Sequence, residues 1–188
     1  MILCTPKQVQ AEETNNKFST MEEAVNYLSQ AMVERQENVR FYLRTRVIGS
    51  TPTQEITDAI HLNALAHTEE CSGQAGDTLY WSVNRLNYVY DWANGYYIFD
   101  YTIKYDTTYA QEQELTKKYN EVMAGMNFNG KSEYEKVKMI HDYLCDNINY
   151  DDFYKKNSAY HGLCEGISAC EGYAMLFYRM CKDVDLSV

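Results

Sequence analysis

Proline is nearly absent from these 188 residues, with only Pro6 and Pro52, and no internal repeat or low-complexity run stands in for a linker. A proline-rich spacer between units is therefore excluded. Positive charge is scarce as well. Lys and Arg number 17 against 27 Asp and Glu, a net charge of −10, which works against a sequence-independent grip on phosphates and rules out nucleic acid as the expected partner. No apolar run approaches the roughly 20 residues of a membrane span. The opening Met1-Ile2-Leu3-Cys4 has neither the basic nor the long apolar region of a signal peptide, although a mature exported protein would read the same way. The compartment stays open between cytoplasmic and extracellular on these grounds. Close cysteine pairs are missing too: Cys4, Cys71, Cys145, Cys164, Cys170 and Cys181 are too widely spaced for a zinc ribbon or a redox pair. No metal and no other cofactor is expected, and no EF-hand loop is present. An even cysteine count would permit disulfides in an oxidising compartment, but reduced or buried thiols are the default in a chain this large.

What is present is 45% hydrophobic residues, enough for a packed core. The spacing predicts an α+β fold: helices on a small antiparallel sheet with an aromatic hairpin, followed by a helical unit. Residues 1–18 carry no periodicity and read as a loose leader. Thr20 with Glu23 makes a capping box ahead of Met21, Ala24, Val25, Leu28 and Met32, a helix to about Glu34. Val39 to Val47 alternates as a half-buried strand whose arginines face solvent. Thr51-Pro52-Thr53-Gln54 opens a second helix to about His67, and Glu69–Asp77 reads as a loop. His61 and His67 have no partner ligands and read as ordinary histidines.

Asn94-Gly95 is the strongest two-residue hairpin signal. A turn there sets Trp92 opposite Tyr97, Tyr90 opposite Phe99 and Tyr88 opposite Tyr101, a cross-strand aromatic ladder expected to form the wall on which helices pack. Beyond it, Thr108 with Gln111 and Ser132 with Glu135 cap two more helices, the second with a buried stripe of Val137, Ile140, Leu144 and Ile148. The units expected are 19–106 and 107–188.

The chemistry lies in the segment 162–174. Ser168 with Glu171 reads as a capping box, which puts Cys170 at the second position of a new helix followed by Ala174, Phe177 and Met180 at helical spacing. Free N–H groups and the positive end of the helix dipole favour a thiolate there. The N–H of Cys170 itself would be free to hold the oxyanion of an acyl-transfer intermediate. Cys164, expected in a glycine-flanked loop, and Cys181, on the packing side of the helix, read as structural.

The run from Lys136 to Asp151, then Ser158–Leu163, then Ala169-Cys-Glu-Gly-Tyr-Ala174 resembles the bacterial transglutaminase-like domain over about residues 132–188. Its Cys-x-Gly-Tyr-Ala element is matched residue for residue from Cys170 to Ala174. The resemblance implies a papain-like fold with a Cys-His-Asp triad, in which the thiolate attacks an amide to give a thioester resolved by water or an amine. It also implies a protein or peptide substrate and an extracellular or cell-surface setting. In that family the His and Asp follow the cysteine, whereas this sequence has no histidine after His161. The expectation is thus the N-terminal portion of such a domain, short of its His and Asp strands. His141 and His161 precede the nucleophile and are expected to do packing and loop work. The alternative is a non-catalytic binding or surface-interaction module.

Overall fold

The computed structural model describes residues 16–44, 54–65 and 76–188. In chain order the elements are β1 (Lys17–Phe18), α1 (Met21–Val33), β2 (Asn38–Arg44), α2 (Gln54–Ala64), α3 (Gly76–Ser82), β3 (Val83–Ala93), β4 (Tyr96–Tyr105), α4 (Tyr109–Gly125), α5 (Glu133–Asn147), β5 (Asn149–Tyr150), α6 (Ala159–Glu165), β6 (Ile167–Ser168) and α7 (Cys170–Asp183). Three helices begin where the capping boxes were expected. Thr20, Thr108 and Ser132 each accept a hydrogen bond from the N–H three residues on, and Glu23, Gln111 and Glu135 accept one from the cap residue's own N–H.

The α+β fold is as expected, but its larger sheet is mixed rather than antiparallel. The strand order is β1-β2-β4-β3, with β1 parallel to β2 and the other pairs antiparallel. Lys17 and Phe18, read from sequence as part of the leader, pair with Tyr42 and Leu43. The parallel pairing follows from α1, which carries the chain back to the end at which β1 began before β2 starts. The far end of the strand expected to Val47, the start of the second helix at Thr51–Thr53, and His67 lie outside the described residues.

The hairpin has the expected register: Trp92 opposite Tyr97, Tyr90 opposite Phe99 and Tyr88 opposite Tyr101. Asn94 and Gly95 have φ of 52° and 79°, the two left-handed positions a type I′ turn requires. Burial divides the ladder along its length. On β4, Tyr97, Phe99, Tyr101 and Ile103 are buried with Phe41 and Leu43 of β2 and Leu28 and Met32 of α1. Phe99 and Phe41 stack at 5.1 Å between centroids. On β3, Tyr90 is 44% and Trp92 60% exposed, so that half of the expected wall stands outside the core. The cause is position: β4 lies between two strands, whereas β3 is the sheet's edge. There α2 engages the inner end of the ladder, with Thr57 Oγ1 2.9 Å from the Tyr88 hydroxyl and the His61 ring against the Tyr88 ring.

A second apolar cluster joins Leu115 and Tyr119 of α4, Ile140 and Leu144 of α5, Leu163 of α6, and Leu176, Met180 and Cys181 of α7. Val137, expected in the buried stripe of α5, lies at its margin, 36% exposed. Two polar contacts tie the clusters together. The Arg35 guanidinium sits 3.6 Å from the Glu112 carboxylate with both side chains almost fully buried, and Thr107 donates to the same carboxylate. Burying these charges is tolerable only because they face each other. The Tyr178 hydroxyl donates to Asp77 at 2.6 Å while its ring meets Trp81 edge-on. Asp77 thus belongs to a helix, α3, where a loop was expected; a seven-residue helix is too short to show a periodic stripe and depends on this tertiary anchor.

The split ladder is testable by urea unfolding. Phe99→Ala should cost about 3–5 kcal/mol, the range for deleting a core aromatic. Its neighbour on the same face, Trp92→Ala, should stay within about 0.5 kcal/mol of wild type, as exposed sites do. Equal costs would overturn the assignment of core and edge.

Candidate active site at the start of α7

Cys170 is exposed, carries a free thiol and is the first residue of α7 rather than the second. The expected Ser168–Glu171 capping box does not form. The cap residue is Ala169, without a side-chain cap bond. Ser168 is fully buried in β6, and its hydroxyl is directed at the carbonyls of Lys156 and Ser158, each at 3.3 Å. Asn157 does the capping from a distant loop: its Oδ1 accepts the Glu171 N–H at 3.2 Å, and its Nδ2 donates to the Glu171 carboxylate at 2.5 Å. This is the reciprocity of a capping box supplied from elsewhere in the chain. The loop can lie so close to α7 because residue 172 is glycine. A Cβ there would fall 2.1 Å from Ser168 Oγ and 2.5 Å from the Ser158 carbonyl oxygen.

The loop is shaped by Asp151. Its buried carboxylate accepts the N–H groups of Phe153 at 3.1 Å, Lys155 at 2.8 Å and Lys156 at 2.7 Å. These donors, that of Lys156 foremost, hold the carboxyl below the usual carboxylate range. They also secure Tyr154 in a left-handed backbone conformation, φ 54°, that a tyrosine seldom adopts. Asp151 in turn donates its N–H to Ser168 O, and Ala169 donates its own to Lys156 O at 2.7 Å. The short parallel pair β5–β6 thereby delivers the chain to Cys170 at a fixed angle.

Three tyrosines cluster beside Cys170, Tyr150 next to it and Tyr154 and Tyr173 against Tyr150, none of them singled out in the sequence. The Tyr150 ring stacks on Tyr173 at 6.2 Å and meets Tyr154 edge-on at 6.3 Å. Its phenol is raised by hydrogen bonding to Tyr154 first, then by partial burial, and also by the charge of Tyr154 and contact with Cys170. Tyr173 donates its hydroxyl to Ile148 O. The sequence signal for Tyr150 was its place in the Asn149–Asp151 segment and for Tyr173 its place in Cys-Glu-Gly-Tyr; Tyr154 had none. Glu171, next to Cys170, has its carboxyl raised by burial and by Asp106. No hydrogen-bond partner is described for the Cys170 N–H, as the first position of a helix leads one to expect.

Neither nearby histidine meets Cys170. His141 Nε2 is 3.6 Å from Cys145 Sγ, and His161 Nδ1 is 2.8 Å from the hydroxyl of Ser158. His161 and Cys164 lie on α6, a short helix where a loop was expected, started by Ser158 and ended by Gly166 in the left-handed conformation. Burial pushes the Cys164 thiol up to about 11 and raises that of buried Cys181. Among the described residues no group of three or more His, Cys, Asp or Glu is arranged to hold a metal ion. No helix among them is long and apolar enough to cross a membrane.

Residues 120–188 match the model of the transglutaminase-like superfamily, which supports a transglutaminase-like domain over that stretch. No curated protein and no solved structure matches the chain.

Two substitutions test the architecture. Asn157→Ala leaves the Glu171 N–H uncapped and should cost about 1 kcal/mol in urea unfolding. Asp151 contributes through a carboxyl lowered in the folded state, so its stabilisation is complete above the unfolded value near 3.9. It is lost as pH falls through the depressed folded value. The stability difference between wild type and Asp151→Asn, followed from pH 6 down to 2, should therefore be constant at first and shrink below about pH 4; a difference independent of pH would overturn the role given to Asp151.

Proposed function

We propose that Cys170 is the nucleophile of a cysteine-dependent acyl transferase or amide hydrolase acting on a protein or peptide. The observation that carries this reading is an exposed thiol at the first position of a helix whose own N–H is unengaged. In that reading the Cys170 sulfur attacks the amide carbonyl carbon, and the Cys170 N–H donates to the oxygen that gains negative charge. The C–N bond breaks, the amine leaves with a proton, and the resulting thioester passes its acyl group to water or to a second amine. Tyr150, next to Cys170, and Tyr173 stacked on it offer aromatic walls for the side chain that bears the amide. His141 and His161 are engaged with Cys145 and Ser158, and this reading assigns neither of them as the general base. An extracellular or cell-surface setting accompanies this reading.

A second reading, a non-catalytic binding module, draws support from the exposed Tyr90 and Trp92 at the hairpin end. One experiment separates the two: alkylation of each cysteine by iodoacetamide across pH, read by peptide mass spectrometry. Cys170 should react at pH 7 at least about tenfold faster than Cys164 and Cys181, whose burial disfavours the thiolate. A Cys170 as inert as Cys181 would sink the enzymatic reading and leave the binding module.

A further inference from the structure

A second thiol lies away from the start of α7 and is served by its own imidazole. Cys145 and His141 sit one turn apart on the exposed side of α5, with Sγ 3.6 Å from Nε2. The other ring nitrogen, Nδ1, lies 3.3 Å from Oδ1 of Asp142. Lys138 holds the second oxygen of that carboxylate, and its hydrogen bond, ahead of that from His141, keeps the carboxyl below its usual value. A carboxylate can only accept, so this contact favours the tautomer with its proton on Nδ1, in which the Nε2 lone pair faces the thiol. Thiol, imidazole and carboxylate thus stand in the order that activates a cysteine.

The same thiol opens onto an apolar cavity. Between α5 and α7 a cavity of about 280 Å³ is lined by His141, Leu144, Cys145, Tyr173, Ala174 and Phe177. Tyr173 presents its ring there, its hydroxyl being engaged with Ile148 O. This volume lies just below the range of about 300–1,000 Å³ usual for ligand pockets, and the open apolar groove suits a medium-length aliphatic chain. Asp142 and Asp146 on the same helix make the surroundings acidic, which selects against anionic ligands such as a free fatty acid.

We propose that Cys145 is a second nucleophilic thiol, served by His141 as base, that captures neutral apolar α,β-unsaturated carbonyl compounds by conjugate addition. The thiol proton passes to His141 Nε2, and the sulfur electron pair forms a C–S bond at the β-carbon. The electrons of the C=C bond move to the carbonyl as an enolate, and the α-carbon then takes the proton from the imidazolium. No group leaves and no oxidant is consumed. Asp142 is a positioning residue, acting through the imidazole. Among the described residues the other thiols lack this combination: Cys164 is partly buried beside Glu114, Cys181 is inaccessible, and Cys170 has no imidazole within hydrogen-bond reach.

The full chain is treated with trans-2-octenal, reduced with borohydride and digested, and each cysteine's occupancy is followed in time by mass spectrometry. Cys145 should be the fastest of the described cysteines. His141→Gln should slow it at least about tenfold, a modest loss for a general base, with the far-UV circular dichroism unchanged. Ala174→Leu fills the cavity from an exposed helix position and should slow octenal at Cys145 while leaving its reaction with iodoacetamide at the wild-type rate. A wild-type octenal rate in either variant would overturn the proposal. So would equal slowing of both reagents by Ala174→Leu. Cys170→Ser should leave the Cys145 reaction intact, so this inference and the role of Cys170 stand or fall separately.

Discussion

Asp151 gives up water for three backbone N–H groups, and the geometry around Cys170 descends from that exchange. An ionised carboxylate is costly to bury unless its oxygens are fully engaged, and the donors from Phe153, Lys155 and Lys156 are strong because the acceptor is charged. Satisfying them curls residues 151–156 into a tight loop. That loop aims the Lys156 carbonyl at Ala169 and brings Asn157 over the first turn of α7. Ser158 then starts α6 immediately afterwards. Cys170 is therefore positioned by a carboxylate nineteen residues upstream.

The close approach of loop to helix has a second requirement, and the magnitudes separate two glycines that look alike in sequence. At Gly162 an added Cβ would meet the Leu176 and Ile148 methyls at 3.0 and 3.2 Å, which are ends of flexible side chains and can move. At Gly172 it would meet the Ser158 carbonyl oxygen at 2.5 Å and its carbon at 2.8 Å, and neither can move without taking Asn157 with it. Gly172 is thus the glycine that the Cys170 site cannot exchange, because the cap and the close contact are made by adjacent residues of one loop.

Features written within four residues of one another were legible in the sequence. The boxes at Thr20, Thr108 and Ser132, the Asn94-Gly95 turn with its register, and a cysteine in the first turn of a helix all follow from local hydrogen-bonding capacity and period. What escaped was decided by partners distant in sequence. Ser168 and Glu171 have the spacing of a capping box, yet Ser168 is drawn to the Lys156 and Ser158 carbonyls while Asn157, fourteen residues before Glu171, takes the cap. α3 forms because Tyr178, 101 residues on, holds Asp77. The aromatic ladder was legible as a ladder, but alternation alone does not say which of two paired strands will be the edge.

Among the described residues the two exposed thiols, Cys145 and Cys170, occupy opposite ends of their helices and so meet opposite electrostatics. At Cys170 the helix contributes unpaired N–H groups and the positive end of its dipole, an influence confined to the first turn; that is why an elaborate loop is needed to start the helix at residue 170. At Cys145, in the last turn of α5, the dipole opposes negative charge. A thiol there needs a partner of its own, and the helical repeat provides one at no structural cost by placing His141 one turn back. The useful tautomer of the imidazole is favoured by Asp142, whose second oxygen is occupied by Lys138 rather than left to compete. Position along a helix thus decides which kind of assistance a cysteine requires: backbone donors at the beginning, a side-chain base near the end.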